Sequence, residues 1–524
     1  MLTRLTAVAL ASAAMIPSAA HAQGGNAARQ CAAFARESFG AEVKITRANF
    51  VPAGTPMAQE PNAPPATDTL PAHCRVEGVI NERTGADGKT YGIGFTIALP
   101  QQWAGRFLLM GGGGLNGSIR EPLGPVAAGD TPALMRGFAV IAHDSGHKGA
   151  GFDNAFMADQ RAMLDFAETS VRDVTLLGKA ITERFYGKQI GKSYMTGCST
   201  GGREGMLASQ RYPELFDGIV VGAPAMRTGH SNLGVAYGQV MFNQAAPKDG
   251  KGLPLVERVF SAADRQLILK GLLDQCDGLD GLKDGMIENV GQCRFQPARL
   301  QCSGDKAEGC LSKAQVEAME RAFAGPRDKA GTPLYAPVPY DTGIVVTEGR
   351  IPGYLPTGDT GVFGPVPRDL TIDLDARINA VRADAGQRLT DTHVWTNLNG
   401  FLGRGGKILF YHGVSDPWFS AWDTWDYWLR ASETNGEAWD DASRFYMVPG
   451  MGHCRDGNAF EQFDLLSAVV DWVEQGKVPD AITAQRSDGK PGARPLCPFP
   501  AFARHTGGDA AQASSFTCTQ PEEE

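Results

Sequence analysis

No long basic run occurs anywhere in the 524 residues, and Lys plus Arg (49) fall short of Asp plus Glu (58), leaving a formal net charge of −9. A phosphate backbone would find no electropositive stripe, which excludes nucleic acid as a partner. Past the N-terminal segment, no apolar stretch approaches the ~20 residues that cross a bilayer, so no membrane anchor is expected. Internal repeats and heptads are also missing, which excludes solenoids and coiled coils. No cysteine is left over, because there are ten.

The N-terminus has the parts of an export signal, residues 1–22: Arg4 as the positive start, Leu5 to Ile16 as the apolar stretch, and Ala20-His21-Ala22 as a small-x-small cleavage site. The mature chain is predicted to start near Gln23, in the periplasm or outside the cell, with no cysteine after the cut to take a lipid. In that setting ten cysteines read as disulfides. Cys276/Cys293, Cys302/Cys310 and Cys497/Cys518 are near in sequence and read as local loops, while count alone does not fix the pairing.

Hydrophobic content of 43% and charged content of 20% are globular values, and the length calls for a large domain carrying an insertion. Residues 23 to 80 are Ala- and Pro-rich, with Pro61 to Pro71 predicted irregular. Strands are predicted at Gly92–Pro100, Arg106–Met110, Gly137–Ala142, Ile190–Thr196 and Gly218–Gly222, with helices at Ala167–Phe185 and Arg203–Tyr212. This alternation implies an α/β fold with a mostly parallel sheet. After Ala225 the rhythm breaks, and a Gly-, Pro- and Asp-rich region with helices at Ala262–Leu273 and Ser312–Phe323 runs to about Asn399. Residues 225–399 therefore read as an inserted lid domain between two parts of the α/β domain, 23–224 and 400–524. Strands resume at Lys407–His412 and Ser443–Pro449, and a helix at Glu461–Glu474 closes the domain.

Gly197-Cys198-Ser199-Thr200-Gly201 carries the G-x-S-x-G pattern of a nucleophile elbow, with a strand before it and a helix after it. The competing reading is a glycine-rich turn whose serine caps a helix. A serine hydroxyl needs a base to take its proton and a carboxylate to orient that base. The order Ser, acid, His is present: Asp416 and His453 each follow a predicted strand, at the same sheet edge as Ser199. His412 lies inside a strand and is read as packing, and His143 and His147 as a structural loop rather than a metal pair. Cys198 and Cys454 flank Ser199 and His453, so a bridge between them would tie the nucleophile and base loops. An ester's tetrahedral oxyanion needs backbone N–H donors; Thr200 supplies one, and the Gly111-Gly112-Gly113-Gly114 loop can supply the other. Asp277, Asp280 and Asp284, among turn glycines, offer hard oxygens for Ca²⁺ or form a solvated acidic turn. Trp422 and Trp425, three apart on a helix, are read as core.

Gly197-Cys198-Ser199, the Asp416 loop and His453-Cys454 together resemble the tannase/feruloyl esterase family of α/β-hydrolases. Arg203-Glu204-Gly205-Met206, Cys276-Asp277 through Asp284-Gly285, Arg404-Gly405-Gly406-Lys407 and Arg494-Pro495-Leu496-Cys497-Pro498 extend the likeness, which is strongest to a bacterial branch that includes an enzyme acting on a terephthalate half-ester. The resemblance implies an α/β-hydrolase fold with a large inserted lid, a small-molecule aromatic ester as substrate, and a serine esterase acting through Ser199, Asp416 and His453. It also implies oxyanion donors at Gly114 and Thr200, and a lid Ca²⁺ on Asp277, Asp280 and Asp284 with the carbonyls of Leu282 and Met286. Five disulfides are implied by it, Cys31–Cys74, Cys198–Cys454, Cys276–Cys293, Cys302–Cys310 and Cys497–Cys518, and so is a substrate-contacting aromatic at Phe419. Feruloyl- or galloyl-type esters are the first expectation and a terephthalate half-ester the narrower one. A non-catalytic binder on the same scaffold is the alternative of another class, opposed by the intact Ser-Asp-His order. The chain departs from the terephthalate branch in having Thr200 where that branch has glutamate. Its lid is also shorter between Pro333 and Asn399, where Arg350, Arg368, Arg377, Arg382 and Arg388 are all available to a substrate carboxylate and none is singled out.

Overall fold

The computed structural model describes residues 19–57, 69–345, 353–357, 360–361 and 364–522. The predicted signal's apolar stretch, most of the proline segment from Pro61, and Arg350 lie outside these residues. The described residues hold a nine-stranded sheet: β1 Val43–Val51, β2 His73–Thr84, β3 Thr90–Pro100, β4 Arg106–Met110, β5 Phe138–His143, β6 Lys192–Cys198, β7 Gly218–Gly222, β8 Lys407–Gly413 and β9 Ser443–Val448. Their spatial order is β1-β2-β3-β5-β4-β6-β7-β8-β9. The β1/β2, β2/β3 and β3/β5 pairs are antiparallel, and every pair from β5/β4 to β8/β9 is parallel.

The central strands are apolar runs because both sheet faces are covered. Along β4, Phe107 and Leu109 enter one core and Leu108 and Met110 the other, the period-two alternation of a strand. Helices α1 Ser170–Tyr186 and α2 Thr200–Arg211 bury Val171, Val174, Ile181, Met206 and Leu207 on the first face. The helix that closes the domain, Leu465–Gln475, buries Leu466, Val469 and Val470 on the second. Trp422 and Trp425 pack against the first core, as their spacing predicts.

The first two strands escape the sequence reading, which sees residues 23 to 80 only as Ala- and Pro-rich. Arg75 and Glu77 alternate with Cys74, Val76 and Ile80 in β2, so the strand looks polar although one face is buried. Cys31, on the helix Ala19–Ala33, bridges to Cys74 in that strand.

Among the described residues between β7 and β8, no strand joins the sheet. Here α3 Thr228–Ala245, α4 Ala262–Cys276 and α5 Lys313–Ala324 surround a separate core that includes Phe242, Phe260, Ile268, Met319 and Phe323. Capping boxes start two of these helices: Ser261 with Asp264 for α4, Ser312 with Gln315 for α5. Cys276–Cys293 and Cys302–Cys310 close local loops in this segment, and Cys497–Cys518 joins the C-terminal hairpins.

Candidate functional site

Ser199 sits between the end of β6 and the start of α2 with φ 63°, in the left-handed region that costs a residue with a side chain. The turn is held by its neighbours: the Ser199 N–H donates to Gly222 O at 3.0 Å, and its carbonyl accepts from Arg203 and Ala225 N–H, each at 3.0 Å. The flanking glycines are required by space. A Cβ on Gly197 would lie 2.3 Å from Gly201 O, and one on Gly202 would lie 2.3 Å from Gly222 O.

Asp416 follows β8, and its carboxylate is fully buried. Its Oδ2 lies 2.6 Å from His453 Nδ1, while its Oδ1 accepts the N–H groups of Trp418 at 2.9 Å and Phe419 at 3.1 Å. Burial alone would raise the Asp416 pKa, but His453 and His412 outweigh it and hold the carboxyl below the usual carboxylate range. An ionised carboxylate only accepts hydrogen bonds, so Nδ1 of His453 carries the hydrogen and a neutral ring keeps a lone pair at Nε2. That atom is the acceptor a hydroxyl proton needs.

His412 does more than pack, contrary to the expectation from its place in a strand. Its Nε2 is 3.3 Å from Asp416 Oδ2 and 3.0 Å from Phe419 O, and its Nδ1 is 2.9 Å from Thr424 Oγ1. A side chain at the end of a strand can reach a residue four positions on when the chain doubles back, which periodicity does not reveal. His143 ends β5 and His147 lies in the loop after it: His143 Nδ1 accepts from Ser145 N–H at 3.2 Å, and His147 stacks on Phe156 at 3.6 Å. Burial lowers the pKa of both, that of His147 to about 4.

The bridge Cys198–Cys454 joins the residue before Ser199 to the residue after His453, with Cα atoms 6.1 Å apart across 256 sequence positions. In the glycine loop after β4, three N–H groups are engaged: Gly111 with Thr196 O at 2.9 Å, Gly112 with Glu204 Oε2 at 2.8 Å, and Gly113 with Asn116 Oδ1 at 2.9 Å. Among the described residues the N–H groups of Gly114 and Thr200 meet no acceptor. The Thr200 hydroxyl donates to Gly114 O and pins the two together. Glu204 is fully buried on α2, and its other oxygen accepts from Asn116 Nδ2 at 3.2 Å. Its support of the glycine loop is not legible in the sequence, where Arg203-Glu204-Gly205 is only a matched motif.

Aromatic rings gather around the imidazole. Phe419, half-buried, lies 5.2 Å from the His453 ring and Trp418 lies 4.9 Å from it, both edge-on. Phe152, 57% exposed, stands beside Gly114: a Cβ on that glycine would be 3.5 Å from the Phe152 ring. Arg368, Arg377, Arg382 and Arg388 are exposed, and none makes a hydrogen bond or ion pair to Asp416, His453 or Ser199.

The acidic loop lies in the inserted segment. Asp277 Oδ1 accepts from the N–H groups of Asp284 and Gly285 at 3.2 Å, and Asp280 Oδ1 from Leu282 N–H at 2.9 Å. Asp284 Oδ1 accepts from Met286 N–H at 3.2 Å, and its Oδ2 from Arg494 Nη2 at 2.5 Å. Burial, with Asp284 close by, pushes Asp280 up to about 6 and raises Asp277, a charge balance that a bound cation would relieve. Three carboxylates with the Leu282 and Met286 carbonyls are hard donors suited to Ca²⁺. Among the described residues no three acidic, His or Cys side chains are themselves drawn to metal-coordinating distance. The donor types suit the ion, while the side chains are held by backbone N–H groups and by Arg494.

A mixed sheet with its strand order crossing over at β4 and β5, a serine elbow on the strand after them and an acid and a histidine after two later strands is the α/β-hydrolase fold. Residues 74–361 and 357–519 match the family described as Tannase and feruloyl esterase. Mono(2-hydroxyethyl) terephthalate hydrolase from Piscinibacter sakaiensis is 39% identical over 88% of this chain and 87% of its own. A probable feruloyl esterase B-2 from Aspergillus flavus is 28% identical over 87% of this chain and 89% of its own. The crystal structure of feruloyl esterase B from Aspergillus oryzae superposes with a TM-score of 0.75 at 25% identity, covering 94% of this chain and all of that one (100%). The chain belongs to the tannase and feruloyl esterase family, and with it to the carboxylic ester hydrolases. No helix among the described residues is long and apolar enough to cross a membrane.

Proposed function

We propose that this protein hydrolyses esters of aromatic acids of the feruloyl or galloyl type, with Ser199 as nucleophile, His453 as general base and Asp416 as the orienting acid. The observation that carries this reading is the 2.6 Å hydrogen bond from His453 Nδ1 to buried Asp416, on a base loop bridged to the residue before Ser199. His453 Nε2 takes the Ser199 proton as Oγ bonds to the ester carbonyl carbon. The oxyanion that forms is met by the N–H groups of Gly114 and Thr200. The carbon–oxygen bond to the alcohol then breaks, and the alcohol leaves with the proton from Nε2. Water, deprotonated by the same nitrogen, releases the acid and restores Ser199.

The aromatic preference rests on Phe419 and Trp418 beside the imidazole and Phe152 beside Gly114, rings that favour a flat acyl group by stacking and apolar burial. The 39% identity to mono(2-hydroxyethyl) terephthalate hydrolase favours a narrower second reading, a terephthalate half-ester. The inserted segment serves as a lid over the site, and its acidic loop holds a structural Ca²⁺ through Asp277, Asp280, Asp284 and the carbonyls of Leu282 and Met286. Export after removal of residues 1–22 is supported by five disulfides, which persist in oxidising compartments.

The test is kcat/KM on methyl ferulate, methyl gallate, the terephthalate half-ester and an acetyl ester of the same leaving group. An aromatic acyl group is expected to be preferred, and which one leads separates the two readings. Preference for the acetyl ester, or turnover of none, would refute the proposal.

A further inference from the structure

Asp341, in the inserted segment, is fully buried and far in sequence from both loops it touches. Its Oδ2 accepts two hydrogen bonds, from Ser415 Oγ at 2.6 Å and from Gly450 N–H at 2.6 Å. Ser415 immediately precedes Asp416, and Gly450 lies three residues before His453. Ser415 Oγ in turn accepts from Gly343 N–H at 2.9 Å, so hydroxyl, carboxylate and backbone form one closed set. The approach is too close for side chains: a Cβ on Gly343 would lie 2.5 Å from Ser415 Cβ, and one on Gly450 would lie 2.1 Å from Asn458 O. Asp341 is itself anchored through its chain neighbours Ile344 and Val345, which belong to the core of the inserted segment. The acid and base loops also touch directly, through Ser415 N–H to Met451 O at 2.9 Å.

We propose that Asp341 is a positioning residue for the reaction: one carboxylate oxygen of the inserted segment clips the acid loop to the base loop and fixes the Asp416–His453 geometry. The inserted segment is then part of the catalytic apparatus as well as a cover. This rests on the reading of Asp416 and His453 as acid and base. The role is geometric. Both donors share Oδ2, and Oδ1 has no hydrogen-bond partner among the described residues. An asparagine whose carbonyl replaces Oδ2 keeps both bonds and loses the charge, whereas alanine loses both bonds.

The experiment measures kcat and KM of a p-nitrophenyl ester for wild type, Asp341→Ala, Asp341→Asn and Ser415→Ala. Asp341→Ala is expected to lower kcat about 10- to 100-fold, the cost of a small misplacement of catalytic groups. KM should stay within about twofold, because the change touches no substrate. Asp341→Asn should restore most of kcat, and Ser415→Ala should fall between. A kcat of Asp341→Ala equal to wild type, a loss carried by KM, or Asp341→Asn as impaired as alanine would each overturn the proposal. If Asp341→Ala does not fold, the other two decide: Ser415→Ala must lose more kcat than Asp341→Asn, and the reverse order overturns it. Ser199→Ala separates the two levels. If that variant stays active, the acid–base reading itself fails; if it is inactive while Asp341→Ala is normal, only this inference fails.

Discussion

Replacing Cys198 and Cys454 by alanine should slow turnover strongly even where the protein remains folded. The bridge spans 256 sequence positions, and for a loop of that length the chain-entropy model gives a ceiling of about 5.5 kcal/mol of stabilisation at 25 °C. The loops have other restraints. The Ser199 N–H stays bonded to Gly222 O, and His453 stays bonded to Asp416, so much of the local structure survives the loss. The distance between the two loops has fewer supports. The bridge holds the Cα atoms of residues 198 and 454 at 6.1 Å, and Ser199 and His453 are their immediate neighbours. A drift of about 1 Å between nucleophile and base costs on the order of 100-fold in rate, equivalent to about 2.7 kcal/mol on the barrier. The assay is kcat on a p-nitrophenyl ester, paired with a thermal melt of the same sample. The expected result is a double variant that melts cooperatively at a lower temperature and turns over about 100-fold more slowly. A folded double variant with wild-type kcat would refute the claim that the bridge sets catalytic geometry.

Phe419→Ala should depress kcat/KM for aromatic acyl esters far more than for acetyl esters; an equal loss on both would show that the ring only packs against His453. Chelation should lower the melting temperature, since an ion that binds the folded loop and not the unfolded chain stabilises by linkage; an unchanged melt after verified metal removal would count against a structural ion. The folded-state pKa of Asp416 lies below its unfolded value, so its contribution to stability is full above the unfolded carboxylate pKa of about 3.9 and is lost as pH falls toward the folded value. Asp416→Asn should therefore flatten the acid limb of the melting-temperature profile, and an acid limb unchanged by the substitution would contradict this.

Strands β4 to β9 and the elbow are legible because a parallel strand covered on both faces writes a continuous apolar run, as in Phe107-Leu108-Leu109-Met110. Ser199, Asp416 and His453 stand out through chain order and strand ends, both properties of sequence. β1 and β2 do not, because these strands at the antiparallel end of the sheet mix Lys44, Arg75 and Glu77 into their apolar pattern. The contacts that surround the site are hidden for a different reason. Glu204 reaching Gly112, His412 reaching Asp416 and Asp341 reaching Ser415 are meetings of residues whose proximity the tertiary fold creates. Only Cys198 and Cys454 reveal such a meeting in advance, because a disulfide leaves a residue-type signature beside each partner. The acidic loop shows the limit of composition: its donors suit Ca²⁺, yet their oxygens are held by the loop's own N–H groups and by Arg494.

Turnover of a p-nitrophenyl ester by Ser199→Ala tests the central claim most directly. Ser199 is the only proposed nucleophile, so kcat should fall by on the order of 10⁴-fold or more, leaving what substrate binding and the oxyanion donors supply. A folded Ser199→Ala enzyme that keeps a rate near wild type would contradict the account.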